Sequence, residues 1–162
     1  MKLAAAAVLF CALAAPAAAV PEPKLDMLAF FTGKTHADNV IKIALHGPHK
    51  LIVDSVDGHN KEGEFVLIDT VQEEGKPVRK RTWVMRPAGP NHFTGVLSDA
   101  KGPVDVTVSG DSALIRYTMN EGGLKVEQRV KLQRDGSLSN TVTAKKFGLK
   151  VASVDGTIRK VD

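Results

Sequence analysis

Arg81, Trp83 and Met85 stand two residues apart in the run Arg79-Lys-Arg-Thr-Trp-Val-Met-Arg86, so in an extended chain they share one face. A guanidinium, an indole and a thioether side by side form a set for non-covalent recognition. The cation suits a carboxylate or phosphate head group, and the other two suit an apolar tail. Tyr117 and Arg116, on a later alternating run, and Asn140, near the end of the chain, offer further polar contacts. Arg116 and Tyr117 face opposite ways, so at most one of them can reach an interior. The plainer assignment of the same residues is structural, with Trp83 as a core anchor whose indole N–H bonds a carbonyl and Arg81 paired with an acidic neighbour.

Other chemistries find less support. Of the five histidines, His46 and His49 flank a Gly-Pro turn while His36, His59 and His92 are scattered. No His-Glu-x-x-His spacing or cysteine ligand accompanies them, so no metal centre is expected. No Gly-x-Ser-x-Gly elbow is present, and Ser112 falls where a hairpin turn is expected. The glycines punctuate turns rather than opening a helix, which gives no reason to expect a nucleotide cofactor. No cofactor of any kind is expected.

The elements that must position the recognition set are strands. Arg79 to Leu97 reads as two alternating runs around Pro87-Ala-Gly-Pro-Asn91, which is a hairpin. Its first strand is mixed on both faces, with Arg79, Arg81, Trp83 and Met85 on one and Val78, Lys80, Thr82 and Val84 on the other. A strand enclosed on both sides, as in a barrel, has that character. Alternation begins at Ile41, Ile43 and Leu45 and recurs to Val161. It is cleanest where Leu124, Val126, Gln128, Val130 and Leu132 oppose Lys125, Glu127, Arg129, Lys131 and Gln133. Leu25, Leu28 and Ala29 have helical spacing, and with Phe30 and Phe31 they could close one barrel end. The expected fold is all-β, a single antiparallel up-and-down barrel of about eight to ten strands with a short N-terminal helical turn, a lipocalin-like arrangement. A two-sheet sandwich is its rival, but the connections are short.

The N-terminal Met-Lys-Leu, the apolar run to Ala15 and Ala17-Ala-Ala19 predict a cleaved signal peptide over residues 1–19. A linker over 20–24 and one barrel domain over 25–162 follow, with export to the periplasm. Cys11, the single cysteine, lies inside the apolar run behind Phe10 rather than a small residue, so lipid anchoring there is not expected. The charge excess is small, 22 Lys and Arg against 18 Asp and Glu. With one Trp and one Tyr, an exported chain of this kind is a poor candidate for nucleic-acid binding. The one basic concentration is Lys76, Arg79, Lys80, Arg81 and Arg86, read either as a solvated strand edge or as peripheral contact with an anionic membrane surface.

Several short motifs in order resemble the DUF3833 family of exported or lipid-anchored bacterial proteins. These are Phe31-Thr-Gly33, Arg81-Thr-Trp83, Phe93-Thr-Gly95, Asp99-Ala-Lys-Gly102, Gly110-Asp-Ser-Ala-Leu-Ile-Arg-Tyr117 and Asn140-Thr-Val-Thr-Ala-Lys-Lys-Phe-Gly148. The resemblance spans Leu25 to Val161 and implies a lipocalin-type barrel with a lipid-related role. Two departures stand out: no clear lipobox, and Arg116 where a tryptophan often precedes the tyrosine.

Together these features predict a monomer that binds or carries a fatty acyl chain, another lipid or an apolar small molecule. Arg81, Trp83, Met85, Tyr117 and Asn140 are its candidate contacts. The alternatives are a lipid-modifying isomerase or cyclase working in the same lumen, and an envelope assembly factor with a filled barrel.

Overall fold

The computed structural model describes residues 23–58 and 63–161. The leader, Cys11 and His59 lie outside the described residues. A short helix, α1 (Met27–Phe31), precedes ten strands: β1 (Lys34–Ile43), β2 (His49–Gly58), β3 (Phe65–Glu73), β4 (Arg79–Gly89), β5 (His92–Leu97), β6 (Ala100–Ser109), β7 (Ser112–Met119), β8 (Lys125–Leu132), β9 (Leu138–Lys146) and β10 (Leu149–Val161). Each strand pairs antiparallel with its sequence neighbours, and β1 also pairs with β10, which closes the sheet into an up-and-down barrel. Closure gives every strand two partners and leaves no open edge.

Strand alternation decides what enters the lumen. On β8, Val126 and Val130 turn inward while Lys125, Arg129 and Lys131 are exposed. Val104, Val130 and Leu138 are wholly buried. On β4 the inward set is Arg81, Trp83 and Met85. The β4–β5 hairpin turn is tighter than the five residues expected. β4 runs on through Pro87-Ala-Gly89 with an irregularity before Gly89, and only Pro90 and Asn91 turn the chain, Asn91 at φ 57°.

β1 starts earlier than hydrophobic alternation suggests, at Lys34 rather than near Ile41. Its inward residues in that first part are Thr35, Ala37 and Asn39, all buried. They are small or polar, so the inward face carries no apolar signature.

The helix seals one end. Asp26 caps it by accepting a hydrogen bond from the Ala29 amide at 3.0 Å, which satisfies one of the first-turn donors. Leu25 and Phe30 are buried beneath the barrel end, and the Leu25 amide donates to the Gly110 carbonyl at 2.9 Å. The Lys160 ammonium donates to the Ala29 carbonyl at 3.0 Å from β10. The opposite end is a mouth ringed by the turns at 44–48, 74–78, 98–99, 120–124 and 147–148.

Candidate ligand-binding site

Two rows of polar side chains cross the lumen, each held by strand register. In the first, Ser55, Asp69 and Arg81 are lateral neighbours on β2, β3 and β4. Asp69 is the hub, its side chain only 3% exposed. It accepts from the Ser55 hydroxyl at 2.6 Å, the Arg81 Nε–H at 2.7 Å and the Trp83 indole N–H at 2.8 Å. The Arg81 guanidinium also lies 5.3 Å from the Trp83 ring centroid, within cation–π range. Burial works against the Arg81 charge, but the Asp69 carboxylate more than offsets it and holds the guanidinium above its ordinary pKa.

In the second row, Asn39 on β1 and Asn140 on β9 both pair in register with Gly156 on the strand between them. The Asn140 amide donates to the Asn39 side-chain oxygen at 2.9 Å across that glycine. A Cβ on Gly156 would collide with the Asp38 carbonyl and with the Asn39 side-chain oxygen. Gln128 on β8 extends the row by donating to the Asn140 oxygen at 2.8 Å. Asn39 completes it by donating to the Leu51 carbonyl at 3.2 Å.

These rows divide the interior. Below them, against α1, is a cavity of about 110 Å³ lined by Met27, Phe31, Trp83, Met85, Phe93 and Ile115 among others. Above them the mouth opens into a chamber of about 870 Å³ with walls of Ile41, Ile43, Leu51, Val71, Val126 and Val142. That volume lies within the roughly 300–1,000 Å³ typical of small-molecule sites. Arg81, Asn39, Gln128 and Asn140 border both spaces, so they form the floor of the mouth chamber.

The five residues expected from sequence are therefore placed at three levels. Arg81 and Asn140 lie on the dividing floor, Tyr117 lies above it, and Trp83 and Met85 lie below it. Trp83 and Tyr117 still touch edge to face across the boundary, with centroids 5.7 Å apart. Burial pushes the Tyr117 phenol above its ordinary 10.0, and the nearby Arg81 charge offsets only part of that. It remains a protonated donor at neutral pH. Arg116 faces outward beside Glu127 at 3.6 Å. Arg81 pairs with an acidic neighbour, and the Trp83 indole N–H finds a carboxylate rather than a carbonyl.

Asp69, Asn39, Gln128 and Ser55 were not among the expected contacts. Asp69 and Asn39 sit at alternate positions with Val71 and Ala37, so period-two alternation could have found them if polar residues on an apolar face had been counted as inward. Near the mouth, Arg79 donates to Asp99 at 2.8 Å. The other Asp99 carboxylate oxygen is buried and has no partner among the described residues.

The described histidines line neither space, although His49 bonds the rim residue Glu73. His36 meets Asp54 at 2.6 Å, His49 meets Glu73 at 2.8 Å and His92 meets Asp105 at 2.6 Å. Among the described residues, no three metal-ligating side chains converge. No described helix is long and apolar enough to cross a membrane.

The family described as "Protein of unknown function (DUF3833)" matches residues 6–160, nearly the whole sequence. The chain belongs to the DUF3833 family. Among proteins of curated function none matches by sequence. Solved structures share the DUF3833 barrel at low identity. The S-type phycobiliprotein lyase CPES of Guillardia theta superposes with a TM-score of 0.62 at 6% identity, over 83% of this chain and 90% of its own. Rv2717c of M. tuberculosis gives 0.61 at 16%, over 83% and 95%. A DUF3598-family protein of Nostoc punctiforme gives 0.57 at 12%, over 89% of this chain and 53% of its own. At these identities the likeness concerns the fold alone, a closed antiparallel barrel.

Proposed function

We propose that the protein is a periplasmic carrier that binds one elongated apolar molecule, a fatty acyl chain or similar lipid, in the mouth chamber of its barrel. The observation that carries this reading is the chamber of about 870 Å³, mostly apolar in its walls, with its polar groups concentrated at the floor and rim. Such a site buries a tail by the hydrophobic effect, worth roughly 25 cal/mol per Å² removed from water. A few fixed polar groups then orient the head. The barrel fold supports the reading, because a closed antiparallel barrel of this strand number encloses a lumen that can hold a small ligand.

The head group meets a nearly neutral floor. Asp69 balances Arg81, and Asp99 engages Arg79. The contacts left for a head group are the outer guanidinium nitrogens of Arg81 and the Tyr117 hydroxyl. That combination accepts a carboxylate or a hydroxyl with little discrimination. Fatty acid and fatty alcohol of one chain length should therefore bind within about tenfold of each other, a difference of about 1.4 kcal/mol.

Titration of a fluorescent fatty acid tests the reading, with Ala144→Phe as the blocking variant because Ala144 lines the chamber wall. Saturable binding that weakens at least tenfold in Ala144→Phe supports it. Absence of binding, or binding untouched by that substitution, removes the chamber as the site.

A further inference from the structure

Two neighbouring turns on the mouth rim break the usual chemistry of their turn types in the same direction. In the β1–β2 turn the His46 amide donates to the Ile43 carbonyl at 3.0 Å, and Leu45 occupies the third position at φ 68°. Glycine or asparagine is favoured there. In the two-residue β9–β10 turn, Phe147 (φ 51°) precedes Gly148 (φ 82°), where Asn-Gly is favoured. Both apolar side chains point into solvent, Leu45 at 103% and Phe147 at 94% relative exposure, and Leu149 follows at 73%. The turns are side by side because β1 pairs with β10, the Ala44 amide donating to Val151 at 2.8 Å.

Within the two tip segments the charge has one sign, and the nearest acids, Glu73 and Glu74 of the next turn, engage His49 at 2.8 Å and the Lys50 amide at 3.1 Å at the start of β2. Segments 42–50 and 145–151 contain Lys42, Lys50, Lys145, Lys146 and Lys150 and no acidic residue. Lys146 lies 5.8 Å from the Phe147 ring centroid. Lys145 reaches Glu127 at 3.5 Å, whereas Lys146 and Lys150 form no ion pair among the described residues. On the far side of the mouth the rim carries Asp99 and Glu121 instead. The basic cluster singled out from sequence is largely consumed, with Lys76 on Glu73, Arg79 on Asp99 and Arg81 on Asp69.

We propose that the β1–β2 and β9–β10 tips dock the mouth of the barrel on a bilayer surface bearing anionic lipid. Leu45, Phe147 and Leu149 would enter the interfacial region, and the lysines would meet the head groups. Apolar tips ringed by lysines match an interface that is apolar beneath and negative above. They are projecting points rather than the contiguous flat patch a protein partner would bury. Docking in this pose faces the chamber toward the lipid, and it does not require the lumen to be occupied.

Co-sedimentation of the full chain with phosphatidylcholine vesicles, with and without phosphatidylglycerol, tests it. The double variant Leu45→Asn/Phe147→Asn supplies the residues both turns favour. Its melting temperature should hold or rise while binding to the phosphatidylglycerol vesicles falls at least tenfold. Lys146→Glu/Lys150→Glu should lose binding to those vesicles and leave the weak affinity for pure phosphatidylcholine unchanged.

Attachment through the apolar N-terminal run would be equal in all variants, so equal binding overturns the proposal. So does a dimer that the tip variant dissociates without any vesicle binding, which would assign the tips to a second copy. Fatty-acid titration in solution reads the lumen independently. Docking lost in the tip variant with no ligand uptake by any form would leave this inference standing and remove the carrier reading.

Discussion

Asp69→Ala leaves the Arg81 guanidinium, the Trp83 indole and the Ser55 hydroxyl without their common acceptor, at sites bonded at 2.7, 2.8 and 2.6 Å. Removing one partner of a buried ion pair costs roughly 3–5 kcal/mol, because the other charge stays buried and uncompensated. Arg81 retains 15% side-chain exposure toward the mouth, and water there relieves part of that cost, so the expected loss is about 3 kcal/mol. For a domain of this size each kcal/mol moves the melting temperature by roughly 2–4 °C, which places the fall at about 6–12 °C.

Urea unfolding followed by the emission of Trp83, the single tryptophan, gives the free energy directly. The discriminating variant is Asp69→Ala/Arg81→Met. An apolar side chain of similar length removes the stranded charge, so the double variant should be more stable than Asp69→Ala alone, with a coupling of about 2 kcal/mol. A loss below about 1 kcal/mol for Asp69→Ala, or additive single effects, would refute the assignment of Asp69 as the hub.

Gly156→Ala should destabilise by about 1–3 kcal/mol through overpacking and should open the Asn140–Asn39 bridge; asparagine side-chain amide signals in NMR would report the loss. Leu138, wholly buried, should cost about 2–5 kcal/mol on truncation to alanine, read by denaturant unfolding. The pKa values of His36 and His49 are raised above 6.5, chiefly by hydrogen bonds to Asp54 and Glu73. Their contribution is therefore complete below about pH 6.5 and fades as pH rises through the raised native values; His36→Gln/His49→Gln should remove that slope from stability measured between pH 6 and 8. Asp111 and Asp135 are held below 3.8, mainly by the Ser112 and Ser137 hydroxyls. What they contribute is present above that value and lost as pH falls through their native pKa values, so Asp135→Asn should flatten the acid limb of the same curve.

Much of the barrel is legible in the chain, because a closed antiparallel sheet needs only alternation and short turns, and both are written in residues such as Val126, Val130 and Gly136. The start of β1 is not, since Thr35 and Asn39 face inward without being apolar, and hydrophobic periodicity passes over them. The pairing of Arg81 with an acidic neighbour is foreseeable from the cost of burying a lone guanidinium, but which acid is not. Asp69 becomes that neighbour only through β3–β4 register. Asn140 is recognisable as a polar residue on a buried face. Its partner Asn39 is 101 positions away and meets it only because β1 and β10 close the barrel over a glycine. The division into a smaller inner cavity and an open mouth depends on those long-range pairings, so no local pattern announces it.

The most direct test of the central claim is native mass spectrometry of the chain recovered gently from the periplasm, followed by solvent extraction of whatever it holds. The account predicts one apolar molecule per chain, released by solvent and absent from Ala144→Phe. A bare mass, in a protein that also refuses a fluorescent fatty acid, would contradict it and leave the mouth chamber without a ligand.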